Sequence, residues 1–213
     1  MNALSLFLAA LAIAGIIRPP APAGAGPQPA ARAAILLDNP RVRAYRTTAD
    51  VVDGVDHGAG VVIWLRDGAA GKAGRAIWRD DVAAPPAQGV GREDVVIVQP
   101  RGGSTPSSTA PPSGSKPGEA AFTGMSFVPL FDNERAAVIR ARMEVEAREA
   151  FHTHGSDTIV VHLSGGEIED TANGKTVVNR WKPGDVEFEG RGSSHSARNI
   201  GSPVDVVLVA LKP

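Results

Sequence analysis

An all-β fold, a small antiparallel sandwich or barrel, is predicted by three observations. Apolar or small residues alternate with charged ones from Ile139 to Ala147, a period of two. Short apolar runs separated by turn signals recur along the second half of the chain. With 24 Gly and 17 Pro among 213 residues, little room is left for long helices. Lys plus Arg number 22 against 23 Asp plus Glu, so a net charge of -1 offers no basic surplus to attract nucleic acid. Cysteine is absent, which removes disulfides, thiolate metal sites, iron-sulfur clusters and cysteine nucleophiles.

Taken from the amino terminus, residues 3–17 are apolar, a run shorter than the ~20 residues of a membrane-spanning helix. Arg18-Pro19-Pro20 and the small-residue site Ala21-Pro22-Ala23 follow, so residues 1–23 read as a signal peptide. Only the α-amino group supplies positive charge before the run, which leaves an uncleaved N-terminal anchor as the alternative. Both place the body outside the cytoplasm, in the periplasm or secreted. Residues 24–33 are expected to be disordered, 34–100 to form a first β unit, 101–120 a flexible Gly/Ser/Pro linker, and 121–213 a second β unit.

In the second unit the residue types of Ile139–Ala147 favour helix, but a period of two buries one face only in a strand. Further strands are predicted at Thr158–Leu163, Thr176–Trp181, Val186–Glu189 and Val204–Leu211, with turns at Gly165-Gly166, Asn173-Gly174 and Lys182–Asp185. An internal repeat links the halves. LLDNPR at Leu36–Arg41 matches LFDNER at Leu130–Arg135, VVIWLRDG at Val61–Gly68 matches IVVHLSGG at Ile159–Gly166, and DVVIVQP at Asp94–Pro100 matches DVVLVALKP at Asp205–Pro213. The first copy is shorter and lacks a counterpart of Gly184–Asn199.

His152 and His154 project to one face of an extended chain, so both can reach one metal ion. Downstream, a strand and a Gly-rich turn bring a third imidazole, His195, to the start of another strand. Three His from adjacent strands make a facial set with positions left open to water or substrate.

These residues resemble the cupin superfamily, the RmlC-like jelly rolls. Its first motif, G(X)5HXH(X)3-4E(X)6G, is represented by His152, His154 and Gly165 or Gly166. Its second, G(X)5PXG(X)2H(X)3N, is represented by Gly184, Gly192, His195 and Asn199, with Gly190 in place of Pro. The resemblance covers residues 122–213 and implies a cupin-type β-barrel with metal in its mouth. With the repeat, it implies a duplicated, two-barrel (bicupin) arrangement whose first barrel is degenerate and whose second is intact. The family's first-motif Glu would fall at Thr158, a poor ligand, although some small single-barrel cupins also lack it. Asp157, one residue earlier, is a fourth ligand, a partner to an imidazole behind the metal, or an exposed loop carboxylate. The implied metal site is His152, His154 and His195, with Asp157 a possible addition, holding Fe, Mn, Ni, Cu or Zn.

Other residues have plainer expectations. His162 is expected to be a hydrogen-bonded interior or pocket-wall residue, and His57 a surface or loop residue. Arg191, Arg198 and Glu187 are expected to be solvated charges, and Trp64, Trp78 and Trp181 to pack in the core or between barrels. The functional expectation is an exported metal-binding cupin acting on a small molecule, of oxygenase, isomerase or lyase type. The alternative is a non-catalytic module that binds a small ligand or metal. The barrels could pair within the chain or in a homodimer.

Overall fold

Strand-forming alternation wins over helix propensity throughout the part of the chain described by a computed structural model, which covers residues 32–84, 92–102 and 120–212. The signal or anchor segment and nearly all of the expected linker lie outside the described residues. Five strands form a first antiparallel sheet: β1 (Ala34–Asp38), β2 (Val42–Thr48), β3 (Gly60–Trp64), β4 (Ala76–Arg79) and β5 (Asp94–Pro100), in the order β1-β2-β5-β3-β4. Eight more form a second: β6 (Phe122–Asp132), β7 (Ala136–Thr153), β8 (Thr158–His162), β9 (Gly166–Ala172), β10 (Lys175–Trp181), β11 (Val186–Glu189), β12 (Ser194–Asn199) and β13 (Val204–Leu211). Their order is β10-β9-β12-β7-β13-β8-β11, with β6 on β7.

The second sheet is bent into a curled, two-walled sheet by β7. Glu146 adopts φ 62°, a left-handed conformation that a strand residue takes only under constraint, and Gly124 opposite takes φ 68°. Gly124 suits the bend because a Cβ there would stand 3.2 Å from Ala147. Before the bend β7 pairs with β13, and after it with β12, so one strand serves both walls. Asn199, fully buried, ties the corner: its Nδ2 donates to the carbonyls of Met143 (3.3 Å), Glu144 (3.0 Å) and Ser202 (2.9 Å).

The run Thr158–His162 and the strand Val204–Leu211 are apolar on both faces because both faces are covered. Val160, Val206 and Leu208 face the cavity between the walls. Ile159, Val161, Val207 and Val209 point the other way and share one buried cluster with Val61, Ile63, Val96 and Val98 of the first sheet.

The repeat is visible in three dimensions. The order β1-β2-β5-β3-β4 matches β6-β7-β13-β8-β11. Asn39 and Asn133 close equivalent hairpins, each Oδ1 accepting two backbone N–H groups, from Arg41 and Val42 in one and from Arg135 and Ala136 in the other. Arg46 pairs with Asp94 at 2.7 Å, and Arg140 with Asp205 at 2.5 Å. The cross-contacts are reciprocal: Arg46 donates to the Pro183 carbonyl (3.1 Å) and Arg140 to the Ala73 carbonyl (3.2 Å). The two sheets therefore meet as a pseudo-two-fold pair. The first copy is a sheet rather than the expected barrel. Counterparts of β9, β10 and β12 are missing among its described residues, so no second wall forms, and Tyr45, Trp64, Val95 and Ile97 are covered by loop residues such as Val55 and Val82.

Candidate metal centre

Two adjacent strands build the site. His152 lies near the end of β7, His154 directly follows that strand, and His195 stands opposite His152 in the β7–β12 ladder. The turn before β12 is fixed to β7 by His154 N–H to Ser193 O (2.9 Å) and Gly192 N–H to His154 O (2.8 Å). Without the family's Pro, this turn is closed by the Ser193 N–H and Oγ–H, both donating to Gly190 O at 2.9 and 2.7 Å. The three imidazoles converge, with ring centroids 4.7 to 5.0 Å apart.

The partners of these rings decide which nitrogen is free. His152 Nδ1 lies 3.0 Å from the Ala150 carbonyl and His195 Nδ1 lies 3.0 Å from Asp170 Oδ1. Both partners accept, so the ring hydrogen sits on Nδ1 and Nε2 carries a lone pair. His154 Nδ1 faces Glu189 Oε2 at 3.6 Å, and its Nε2 stands 3.1 Å from His195 Nε2. Burial, reinforced by the neighbouring His195 and His152, lowers the His154 pKa to about 4, which keeps it neutral at pH 7. His154 Nε2 and His195 Nε2 stand 3.1 Å apart, a separation that nitrogens ~2.1 Å from one ion can have. The donor set thus fits a divalent transition metal.

Acidic residues surround the trio, and most were not singled out from sequence. Thr158 occupies the position of the family's Glu, yet Glu189 lies directly across from it in the β8–β11 ladder and presents a carboxyl to the same space. Its Oε1 is 3.8 Å from His195 Nε2. Glu149 Oε2 is also 3.8 Å from that atom. Glu149 reaches the cavity because two residues of β12 span three of β7 between His152 and Glu149, a bulge that resets the alternation. Glu187, expected as a solvated charge, shares the inward face of β11 with Glu189 and lines the cavity. Burial raises Glu189 to about 8, aided by Glu187, Glu149 and Asp170, and raises Glu187 to about 7, aided by Asp170 and Glu149 against the pull of His195. Glu149 is raised too, first by burial.

Asp157 is placed elsewhere. It is buried, takes Arg41 Nε on one oxygen at 2.7 Å and the Arg191 N–H on the other at 2.9 Å, and does not line the cavity. Its role as a ligand or exposed loop carboxylate is replaced by that of an anchor joining the first sheet to the turn that carries His195. Arg198 pairs with Glu146. His57 is exposed and bonds Asp81 at 2.9 Å.

Behind the trio the barrel encloses a cavity of about 310 Å³. His162 is 1% exposed and lies on the cavity wall, one of the two places expected for it, with neither ring nitrogen hydrogen-bonded among the described residues. It stacks on Trp181 at 4.5 Å and 17°. Trp181 is therefore a cavity-wall residue, whereas Trp64 is buried in the first sheet's outer cluster and Trp78 packs against the shared core.

No family model and no curated protein sequence matches the chain. Solved structures similar to it include a cupin domain from Bordetella pertussis Tohama I, 22% identical, covering 42% of this chain and 95% of that one at a TM-score of 0.40. A polyketide cyclase from Streptomyces resistomycificus is 18% identical over 44% of this chain and 69% of its own, at a TM-score of 0.39. A predicted oxalate decarboxylase from Thermotoga maritima is 27% identical over 43% and 84%, at a TM-score of 0.35. Each likeness covers less than half of this chain, and within the second sheet His152, His154 and His195 form a cluster that could hold a metal ion.

Proposed function

We propose that the protein is an exported, metal-dependent small-molecule enzyme of isomerase or lyase type. The observation that carries this reading is the convergence of His152, His154 and His195, with the Nδ1 hydrogens of His152 and His195 directed away from the other rings, beside carboxyl groups that face the same cavity. A divalent ion held by these residues would serve as a Lewis acid toward a substrate carbonyl or hydroxyl oxygen. Asp170 fixes the His195 ring, and the Ala150 carbonyl fixes His152. Glu187 has no hydrogen-bond partner among the described residues and faces the cavity, where its carboxyl can take or give a proton at Oε. Glu189, close to two of the imidazoles, completes the polar end. Export is inferred from residues 1–23.

The test is α-proton exchange. Small ketones incubated with cobalt-loaded full-length protein in D2O are followed by NMR. Exchange that is lost in Glu187→Gln while cobalt stays bound supports the enzyme. Metal binding without exchange or turnover of any carbonyl compound would assign a binding module instead.

A further inference from the structure

From the lining of the cavity, we infer that its ligand is an uncharged, largely apolar molecule of one or two rings, and that carboxylate analogues are rejected. At about 310 Å³ the cavity holds the equivalent of roughly ten waters at their bulk volume of ~30 Å³, which suits a compact cyclic molecule. Its chemistry is divided. Beside the imidazoles it presents Glu149, Asp170, Glu187 and Glu189, while beyond them the wall is made by residues such as Met125, Ile139, Val160, Ile168 and Leu208.

Among the described residues no Lys or Arg lines the space. In the metal-free protein an anionic ligand would find no positive side chain among the described lining residues and would meet four acidic side chains, and an unpaired charge in an apolar-walled cavity is disfavoured. An uncharged ring loses little on leaving water and gains the apolar wall. Aromatic surface also continues to the rim. Phe122 and Phe127 pack edge to face at 5.1 Å, line the cavity and remain 45% and 41% exposed, and Phe122 sits 6.1 Å from the His152 ring. Trp181 supplies an indole to the wall. The geometry gives a ligand with one oxygen-bearing end toward the imidazoles and a ring body against the apolar wall. That orientation rests on the metal-centre reading, whereas the preference for an uncharged body does not.

A matched pair tests this. Equilibrium dialysis at pH 7 compares 2-naphthol with 2-naphthoate on the full-length protein, metal-free and cobalt-loaded. The metal-free protein is expected to bind naphthol at least about tenfold more tightly than naphthoate. Leu208→Trp and Ala137→Phe, two independent cavity-filling variants checked for folding by circular dichroism, should each weaken naphthol by a similar factor while cobalt stoichiometry stays unchanged. Equal or tighter naphthoate binding, binding of neither compound, or full naphthol affinity in both filled variants overturns the inference. Naphthol preference in a protein that takes up no cobalt upholds it and refutes the metal-centre reading instead.

Discussion

Replacing Asp170 by Ala tests the way the imidazoles are set. The Asp170 carboxylate accepts the Nδ1–H of His195 at 3.0 Å, with both side chains under 20% exposed (15% and 19%). Without it the ring loses a charge-assisted bond worth ~1.5–3 kcal/mol and is free to turn Nε2 away from the other two imidazoles. Partners behind a metal-bound imidazole typically set ~10–100-fold of metal affinity, or about 1.4–2.7 kcal/mol, and the two ranges agree. The assay is competition for Zn2+ between the protein and a chromophoric chelator. Asp170→Ala should lose affinity by that factor with little change in Tm, and Asp170→Asn, which keeps an acceptor oxygen, should lose less. An Asp170→Ala affinity within about threefold of the unsubstituted protein would refute the reasoning.

Asn199→Ala strands the carbonyls of Met143, Glu144 and Ser202 and the N–H of Gly201, so a loss of ~3 kcal/mol and a Tm lowered by roughly 6–12 °C are expected in thermal melts. A drop under about 2 °C would remove the corner tie from the account. Gly74→Ala and Gly184→Ala occupy equivalent turns at φ 79° and 88°, and their Cβ atoms would press on Arg140 and Arg46 respectively. Each should cost about 1–2 kcal/mol in urea unfolding, and a large inequality would speak against the pseudo-two-fold pairing. The folded pKa values of Glu187 (about 7) and Glu189 (about 8) lie above the ordinary glutamate value of 4.5. Their stabilising contribution is full below pH 4.5 and is lost as pH rises through 7 to 8, because the folded state holds the extra protons. Between pH 6.5 and 8 the metal-free protein should lose stability at up to ~1.4 kcal/mol per pH unit per group, and added Zn2+ should cancel that slope; a metal-free slope of zero or opposite sign contradicts the buried acidic cluster.

The elements legible in the sequence were those whose pattern is local. Val186–Glu189 and Val204–Leu211 fall where the alternation and the apolar run place them, and the period of two in Ile139–Ala147 foretold the long strand β7. The repeat was legible because the paired motifs are the turns and central strands that set the order of both sheets. β9 was not, since Glu167, Glu169 and Asp170 disguise a strand whose inward face, Ile168 and Asp170, lines a cavity rather than a packed core. Glu187 and Glu189 alternate with Val186 and Phe188, a pattern that reads as one core face and one solvent face. Only the fold shows that the second face looks onto the imidazoles. Glu149 was hidden by the bulge, which no alternation rule anticipates. Asp157 was hidden by distance, for its partner Arg41 comes from the other half of the chain.

The central claim is that three imidazoles hold one metal ion. Elemental analysis of the full-length protein after exposure to divalent transition metals and exhaustive dialysis tests it most directly. One equivalent per chain is expected, absent from the combined His152→Ala, His154→Ala and His195→Ala variant, whose circular dichroism spectrum remains that of a β protein. Metal retained by the triple variant, or none retained by the unsubstituted chain, would contradict it.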